Sequence, residues 1–434
     1  MSTYTRLARY AIASSILLTP IVSEGQIAIH QNRGDVTQRD YNLRIGEAEL
    51  SLGSGLQLTY DSNFNRASNN TAGGSYAIAP SLQLGVYWPI SPYITFDTNI
   101  SIGYQFYVSG PGEDGLRITG LDGLGTASTF NLEFLIGDDS LINVYNSLSA
   151  TIDTVQTGAT AGGGTSGNVR NEPFQQYTYV AGIGYVQRLT PYTRLNVNYD
   201  FQLRRTPDST FNYINRITNT PSVSVAHQLN QNLTGSLTTS ANFYDYSEDL
   251  HNNGFKYLFG GGLEYITDGG LIVGGELGVE YLDFSTSNDP AATDADNVSP
   301  YANGYLQFKT GEFLTHTFSG KYTHDASNGS FANPANPSQL LFVNFQLEYG
   351  GAYTLSIPIR ENINVYGSYN LYRIEQSDNG NKYNRQGVLI GADYDLSKQI
   401  NVSVRYTYEN AFDATFVNTD YNRNLVDIFL NYNF

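Results

Sequence analysis

The chain has 434 residues, with 40 acidic against 23 basic side chains, 43 Gly, 35 Tyr, 22 Phe, one Met, one Trp and no Cys. Its net charge of −17 argues against nucleic acid or an anionic membrane surface as an electrostatic partner. The lack of Cys excludes thiol nucleophiles, disulfides, thiolate metal sites and lipid attachment at an amino-terminal Cys. At 40% apolar it is too polar for helical spans, and at 13% aromatic it is too rich in rings for disorder. Length alone suggests two or three domains, at roughly 150 residues each, but a single large barrel uses the whole chain equally well.

The first element is a targeting segment. Arg6 and Arg9 precede an apolar run over 10–22 (YAIASSILLTPIV), and the small residues Ser23 and Gly25 precede a cleavage that leaves Gln26 as the new amino terminus. Residues 1–25 thus read as a secretory signal peptide, too short for a spanning helix. The bland alternative is an amphipathic helix packed on a soluble domain. No later stretch reaches the ~18 consecutive apolar residues of a helical anchor, so any membrane crossing is made by strands. Residues 26–42 show no alternation and read as a periplasmic segment or short plug, and 43–434 read as one β-barrel.

From there the period is two. Ile94, Phe96, Ile100, Ile102, Tyr104 and Phe106 share one strand face, with Asp97, Asn99, Ser101, Gly103 and Gln105 on the other. The same alternation holds for Leu195, Val197, Tyr199, Phe201 and Leu203, and for Leu341, Val343, Phe345, Leu347 and Tyr349. Such strands, roughly 10–16 residues long, exceed the 5–6 of soluble sheets and meet the 9–11 that a tilted strand needs to cross hydrocarbon. Tight turns recur near 89–92, 138–140, 190–192, 230–232, 268–270, 311–312, 360–362 and 397–399, with long polar segments between them. One short turn and one long loop every ~40–50 residues is the rhythm of periplasmic turns and external loops in an outer-membrane barrel. A propeller needs four short strands and a recurring signature per repeat, and neither is present.

The predicted fold is therefore all-β, a transmembrane antiparallel up-and-down barrel of about 18 strands, 16 being the other even count the boundaries allow. A lumen that wide cannot be filled by apolar side chains, so the apolar faces point outward into lipid and the polar faces line water. Aromatic residues fall in two bands: Trp88, Tyr93, Tyr185, Tyr192, Tyr265, Phe313 and Tyr432 near the short turns, and Tyr60, Phe106, Tyr177, Phe201, Phe243, Tyr281, Tyr369 and Tyr408 near the loops. A soluble sandwich with Tyr-rich edges is the alternative. In 425–434 (LVDIFLNYNF), Val426, Ile428, Leu430, Tyr432 and Phe434 form one apolar face that ends on Phe434.

That ending resembles the terminal-strand signature of bacterial outer-membrane proteins, which the barrel-assembly machinery recognises through a final aromatic residue. The segment 50–64 (LSLGSGLQLTYDSNF), followed by long hairpins and the aromatic end, resembles the β-barrel porins of Gram-negative bacteria. The likeness covers nearly the whole mature chain in pattern, with Tyr60–Asn63 as its one local motif. It implies a fold and a place in the cell outer membrane, among outer-membrane lipid and lipopolysaccharide, and carries over no catalytic or ligand residues. Porins commonly form homo-oligomers, and the sequence leaves that open. Members of exopolysaccharide export systems share the class, so that role stays open by analogy.

With apolar faces outward, parity assigns the lumen charges. The pore-lining candidates are Asp97, Glu133, Asp200, Glu264, Glu276, Glu280, Lys309, Glu348, Asp393 and Arg405. Asp395, Glu409, Asp427, Arg194, Arg204 and Lys321 complete a set in which acids outnumber bases by roughly two to one. A wall of that sign concentrates cations and repels anions, and the expected function is passive diffusion of small hydrophilic solutes with mild cation preference. The rivals are a non-conducting barrel acting as adhesin or receptor, and a polysaccharide-export partner. Inward Tyr93, Tyr107, Tyr301, Tyr305, Tyr366 and Phe429 would serve a sugar path, or would simply fill space.

No enzyme is expected. Of the five His, His30 lies in the tail, His227 and His316 on the lipid face, His251 in a loop and His324 at a strand end, and none shares a face with a carboxylate and a Ser as a triad would. Asp289, Asp294 and Asp296 do not follow a known calcium spacing. The Gly-rich stretch 157–167 has no following helix to make it a phosphate loop. No cofactor or metal is assigned.

Overall fold

The computed structural model describes residues 41–434 apart from 65–72, 111, 120–126, 155–172, 248–252, 268, 287–295, 312, 327–329, 334–335, 343–344, 377–381 and 414–419. The targeting segment, most of the tail, His30, His251, Asp289, Asp294 and the 157–167 stretch therefore lie outside the described residues.

Among the described residues twenty-two strands follow in order: β1 (Leu43–Ile45), β2 (Ala48–Asp61), β3 (Ser75–Ser91), β4 (Ile94–Ser109), β5 (Gly115–Thr119), β6 (Ser128–Ile136), β7 (Ser140–Thr154) and β8 (Pro173–Thr190). Next come β9 (Thr193–Arg205), β10 (Arg216–Gln228), β11 (Leu233–Tyr246), β12 (Asn253–Ile266), β13 (Ile272–Thr286), β14 (Asp296–Thr310) and β15 (Leu314–Ala326). The rest are β16 (Ser330–Asn333), β17 (Asn336–Phe342), β18 (Phe345–Arg360), β19 (Ile363–Gln376), β20 (Lys382–Asp395), β21 (Ile400–Phe412) and β22 (Tyr421–Asn433).

Eighteen of these close a single antiparallel barrel. Each pairs with its sequence neighbours, and β2 closes the ring on β22 from Gly53↔Asn433 to Asp61↔Leu425. The count read from alternation is thus the observed one. Four short strands stand outside it. β1 doubles back on the start of β2. β5 occupies the place beside Ser101–Gln105 of β4 that the shorter β6 leaves open. β16 and β17 form a separate hairpin between β15 and β18.

The faces follow the parity of the sequence. Leu82, Leu277 and Val298 are about two-thirds exposed on the outer surface, where Leu56, Ile102, Phe259, Ile390, Val404 and Leu430 join them. Water does not tolerate a continuous apolar belt of this extent, and hydrocarbon does. Trp88, Tyr93, Tyr192, Tyr265, Phe313 and Tyr432 are exposed at the short-turn end, and Phe106, Phe243 and Tyr369 toward the loop end. These are the two aromatic girdles of a membrane barrel. His227 is exposed on the same outer surface, and His316 stacks on Phe308 there at 4.7 Å.

The face assignment has a direct check. Val404 points outward, 44% exposed, whereas Gln307 stands on the inner row between Ile272 and Thr317. Ser403, beside Val404, also faces inward but is buried, so Gln307 is the fairer inner control. Val404→Arg is expected to cost roughly 2–4 kcal/mol in urea titrations of folding into liposomes, and Gln307→Arg to stay well under 1 kcal/mol. Equal costs would overturn the assignment.

Candidate functional site: the inner wall

The inner wall is built by rows, because antiparallel register sets one residue from each strand side by side. Two such rows carry the same unit, a carboxylate, a glycine and a tyrosine on neighbouring strands, and a third site varies it. Asp200 of β9, Gly182 of β8 and Tyr145 of β7 form one, and Glu264 of β12, Gly274 of β13 and Tyr305 of β14 form another. In the third, Tyr301 of β14 crosses Gly278 of β13 and turns to Glu276 two residues away. A Cβ at Gly182, Gly274 or Gly278 would overlap the ring, so each tyrosine lies flat across a strand that has no side chain to lift it. The hydroxyls of Tyr145 and Tyr305 donate to Asp200 and Glu264, and that of Tyr301 donates to Glu276 at 2.6 Å. Tyr366 crosses Gly391 in the same way toward the Arg405 strand.

The other predicted wall residues fall into two groups. Glu133 accepts from the Asn131 amide at 3.2 Å, Asp97 stands between Tyr87 and Asn131, and Asp393 is buried opposite Ser403. Glu280, Glu348 and Arg405 are instead in ion pairs. Glu280 meets Lys256 at 3.1 Å, and Glu348 meets both Lys321 and Arg385 at 2.9 Å. Arg405 meets Asp427 at 3.0 Å and lies over the Phe429 ring at 5.6 Å. Lys309 has inner-row parity but is exposed at the short-turn end.

Alternation missed several bases on this wall. Arg117 lies on β5, which reads as loop in the sequence, and Arg216, Arg385 and Arg423 sit at strand ends next to loops. Lys256 sits in a strand whose two faces both carry apolar residues, Leu258 inside and Phe259 outside. Adding these narrows the roughly two-to-one acidic excess, and Lys256, Lys321, Arg385, Arg405 and Arg423 are each paired with an acid. Among the described residues, Glu133, Asp200 and Glu276 accept from neutral donors, whereas Glu264, capped by Tyr305, also feels the charge of Arg194.

The aromatic residues do not gather into one path. Tyr93 stands in a turn, 60% exposed, outside the wall. Tyr107 packs on Phe64 at 5.2 Å, Tyr301 and Tyr305 bind carboxylates, and Phe429 carries a guanidinium.

The local motif at Tyr60–Asn63 has a definite position. Asp61, 1% exposed, receives the Arg423 guanidinium at 2.9 Å and 2.5 Å, and Arg423 also reaches Glu409 at 3.4 Å. The Asn63 amide donates to the Asn422 carbonyl at 2.9 Å. Lower on the same seam, Asp427 accepts from Gln57 and Thr59, each at 2.7 Å. First and last strands are thus clasped by side chains as well as by the ladder.

His324 stands at the end of β15 as expected, but a carboxylate and a Ser from neighbouring strands lie beside it, which alternation within one strand does not show. It is buried, with Nδ1 2.7 Å from Glu280 Oε1 and 3.0 Å from Ser299 Oγ. Acid and hydroxyl share one ring nitrogen, whereas charge relay requires them on opposite nitrogens. The group holds structure together.

A closed barrel of 18 long strands, greasy outside and polar inside, defines the class: a large bacterial outer-membrane β-barrel. No protein-family model matches the chain, and no curated protein is similar to it. Among solved structures it is similar to OprD of Pseudomonas aeruginosa, at 12% identity over 89% of this chain and 95% of that one, with a TM-score of 0.44. It is also similar to OccK2 (OpdF) of Pseudomonas aeruginosa in complex with glucuronate, at 9% identity over 90% and 99%, with a TM-score of 0.47. OccAB1 of Acinetobacter baumannii matches at 10% identity over 92% and 99%, with a TM-score of 0.45. The barrel itself is established by this chain's own ladder and faces.

Two substitutions probe the wall. Arg423→Met strands the buried Asp61 carboxylate and is expected to cost about 3 kcal/mol, read as a lower urea midpoint of the heat-modifiable folded band. Adding Asp61→Asn should recover part of that loss. Gly274→Ala must displace the Tyr305 ring and is expected to cost roughly 1–3 kcal/mol in the same assay, while Gly274→Ala with Tyr305→Ser should cost less.

Proposed function

We propose that the chain is a porin-like channel of the outer membrane, for passive diffusion of small hydrophilic solutes with a mild preference for cations. The observation that carries this reading is the division of faces: lipid-facing apolar residues outside, and a hydroxyl-, amide- and carboxylate-rich wall inside a ring too large for side chains to fill. The sign of the preference comes from Asp200, Glu276 and Glu133, whose partners are neutral and leave their charge uncompensated. Glu280 and Glu348 add little, because each is matched by a base. In the same reading Phe434 is the handle for the barrel-assembly machinery, and outer-membrane lipid and lipopolysaccharide surround the belt.

Planar bilayers test it. Refolded protein should give stable single-channel steps, and silent insertion would replace the channel with a non-conducting barrel. Asp200→Asn combined with Glu276→Gln should move the zero-current potential in a salt gradient toward zero by at least a third. An unchanged potential would remove these two residues from the selectivity.

A further inference from the structure

Above Tyr322 the wall stops being a complete ring. β14 and β15 pair from Thr310↔Leu314 to Ala302↔Tyr322 and no further. Yet β14 continues along β13 to Asp296, and β15 continues along β18 to Ala326. Extending the register by two steps sets Pro300 against His324, and a proline has no N–H to give a ladder. The main chain of His324 is satisfied elsewhere. Its N–H donates to Glu280 Oε1 at 2.8 Å, and its carbonyl accepts from Lys256 Nζ. Glu280 and Lys256 stand on the inner faces of β13 and β12, since Val279 and Tyr257 beside them are exposed outside. The main-chain edge of β15 has therefore left the β14 ladder and docked on the inner wall, with the His324 ring still bonded to Ser299 and Asn297 of β14.

The dock is well furnished. Glu280, 0% exposed, also accepts from Thr323 and Ser299 hydroxyls, each at 3.1 Å. Lys256 further reaches Thr323 Oγ1 at 3.0 Å and Asp325 at 3.6 Å. An apolar layer adjoins them: Phe345 stacks on Phe284 at 5.9 Å and Phe284 on Tyr244 at 5.7 Å, with Leu282, Tyr246 and Ala326 in the same cluster. Phe345 and Ala326 have outer-face parity on β18 and β15, yet here they touch the inner face of β11 and β13. The bend lies just beneath. Gly275, Gly304, Gly320 and Gly351 occupy one register row across β13, β14, β15 and β18. Gly350 beside them has φ +152°, a conformation that residues with a Cβ rarely adopt.

We propose that the upper ends of β15 and β18 form a hinged leaf of the barrel wall with two positions, tucked against the inner faces of β12 and β13 or zipped to β14, and that the leaf sets the open cross-section of the channel. In the tucked position Lys256 and Glu280 replace the ladder partners that β14 does not supply to His324. In the zipped position the ring is complete except at Pro300, and the Lys256–Glu280 pair faces the lumen. Pro300 weakens the zipped position by one hydrogen bond and biases the leaf inward. The effect on conductance rests on the channel reading above, whereas the two positions do not.

The chain has no Cys, so introduced thiols report without background. Val298 and Ala326 face each other only when the register continues; in the tucked leaf Val298 is 68% exposed outside and Ala326 lies in the inner cluster. In refolded Val298→Cys/Ala326→Cys protein in liposomes, a mild oxidant should form the disulfide, and Pro300→Ala should speed its formation several-fold. Oxidation should raise single-channel conductance at least 1.5-fold, and reduction should reverse it. No crosslink in folded protein of either background would overturn the leaf. A crosslink that leaves conductance unchanged would overturn its role in the cross-section. A crosslink in protein that never conducts would keep the leaf and remove the channel. Should the double variant fail to fold, Leu282→Cys alone decides: a water-soluble maleimide should react several-fold faster in the Pro300→Ala background, and equal rates would overturn the proposal.

Discussion

A main-chain N–H or C=O left unpaired in hydrocarbon costs several kcal/mol, and this one constraint organises the molecule. Long alternating strands are tolerated in a bilayer only when the last finds the first, so the β2–β22 pairing decides whether the other seventeen ladders are usable. Apolar belt, aromatic girdles and polar wall are consequences of closure. Until the ring is shut, the outer faces have nowhere stable to go.

Closure also explains where the charges are strongest. Side-chain ion pairs on a sheet normally contribute little, and buried ones often do no better than apolar residues of the same size. Here two of them sit where the ladder itself is at risk. Asp61 and Arg423 straddle the seam between first and last strand, and Glu280 and Lys256 meet the main chain of β15 where β14 drops away. In both places the charged group fixes which strand edge goes where. That is a role in register and specificity, and it accounts for carboxylates with almost no exposure to solvent.

Most of the architecture was legible in the sequence because a strand's period and its facing come from the same local rule. The outward position of Ile102, Phe106 and Leu430 and the inward position of Asp97 and Glu276 needed parity alone. What parity does not carry is register between strands. That Gly274 stands between Glu264 and Tyr305, or Gly182 between Asp200 and Tyr145, depends on how far each hairpin is staggered, and nothing within one strand states it. Bases near loops were missed for a related reason: alternation fades at strand ends, where Arg216 and Arg423 stand. The contacts of His324 with Glu280 and Ser299 were not legible because they arise only where β15 leaves the β14 ladder.

The tyrosine-capped carboxylates bear on what such a wall does to ions. A carboxylate matched by Arg or Lys presents a dipole to the lumen, and its field falls off quickly across water. A phenol fixes the carboxylate in place through one hydrogen bond and leaves its full charge, so the field reaches the axis with only salt screening it. Laying the ring flat over a glycine does this without raising the ring from the wall. Asp200 with Tyr145 and Glu276 with Tyr301 are therefore wall fittings that hold negative charge still at little steric cost. Arg405, Arg423 and Lys256, by contrast, sit where strands must be held together, at the closing seam and along the edge of β15 that leaves the β14 ladder. Neutral donors hold one set of carboxylates and cations fasten another, and on the channel reading proposed above the first set keeps its negative field.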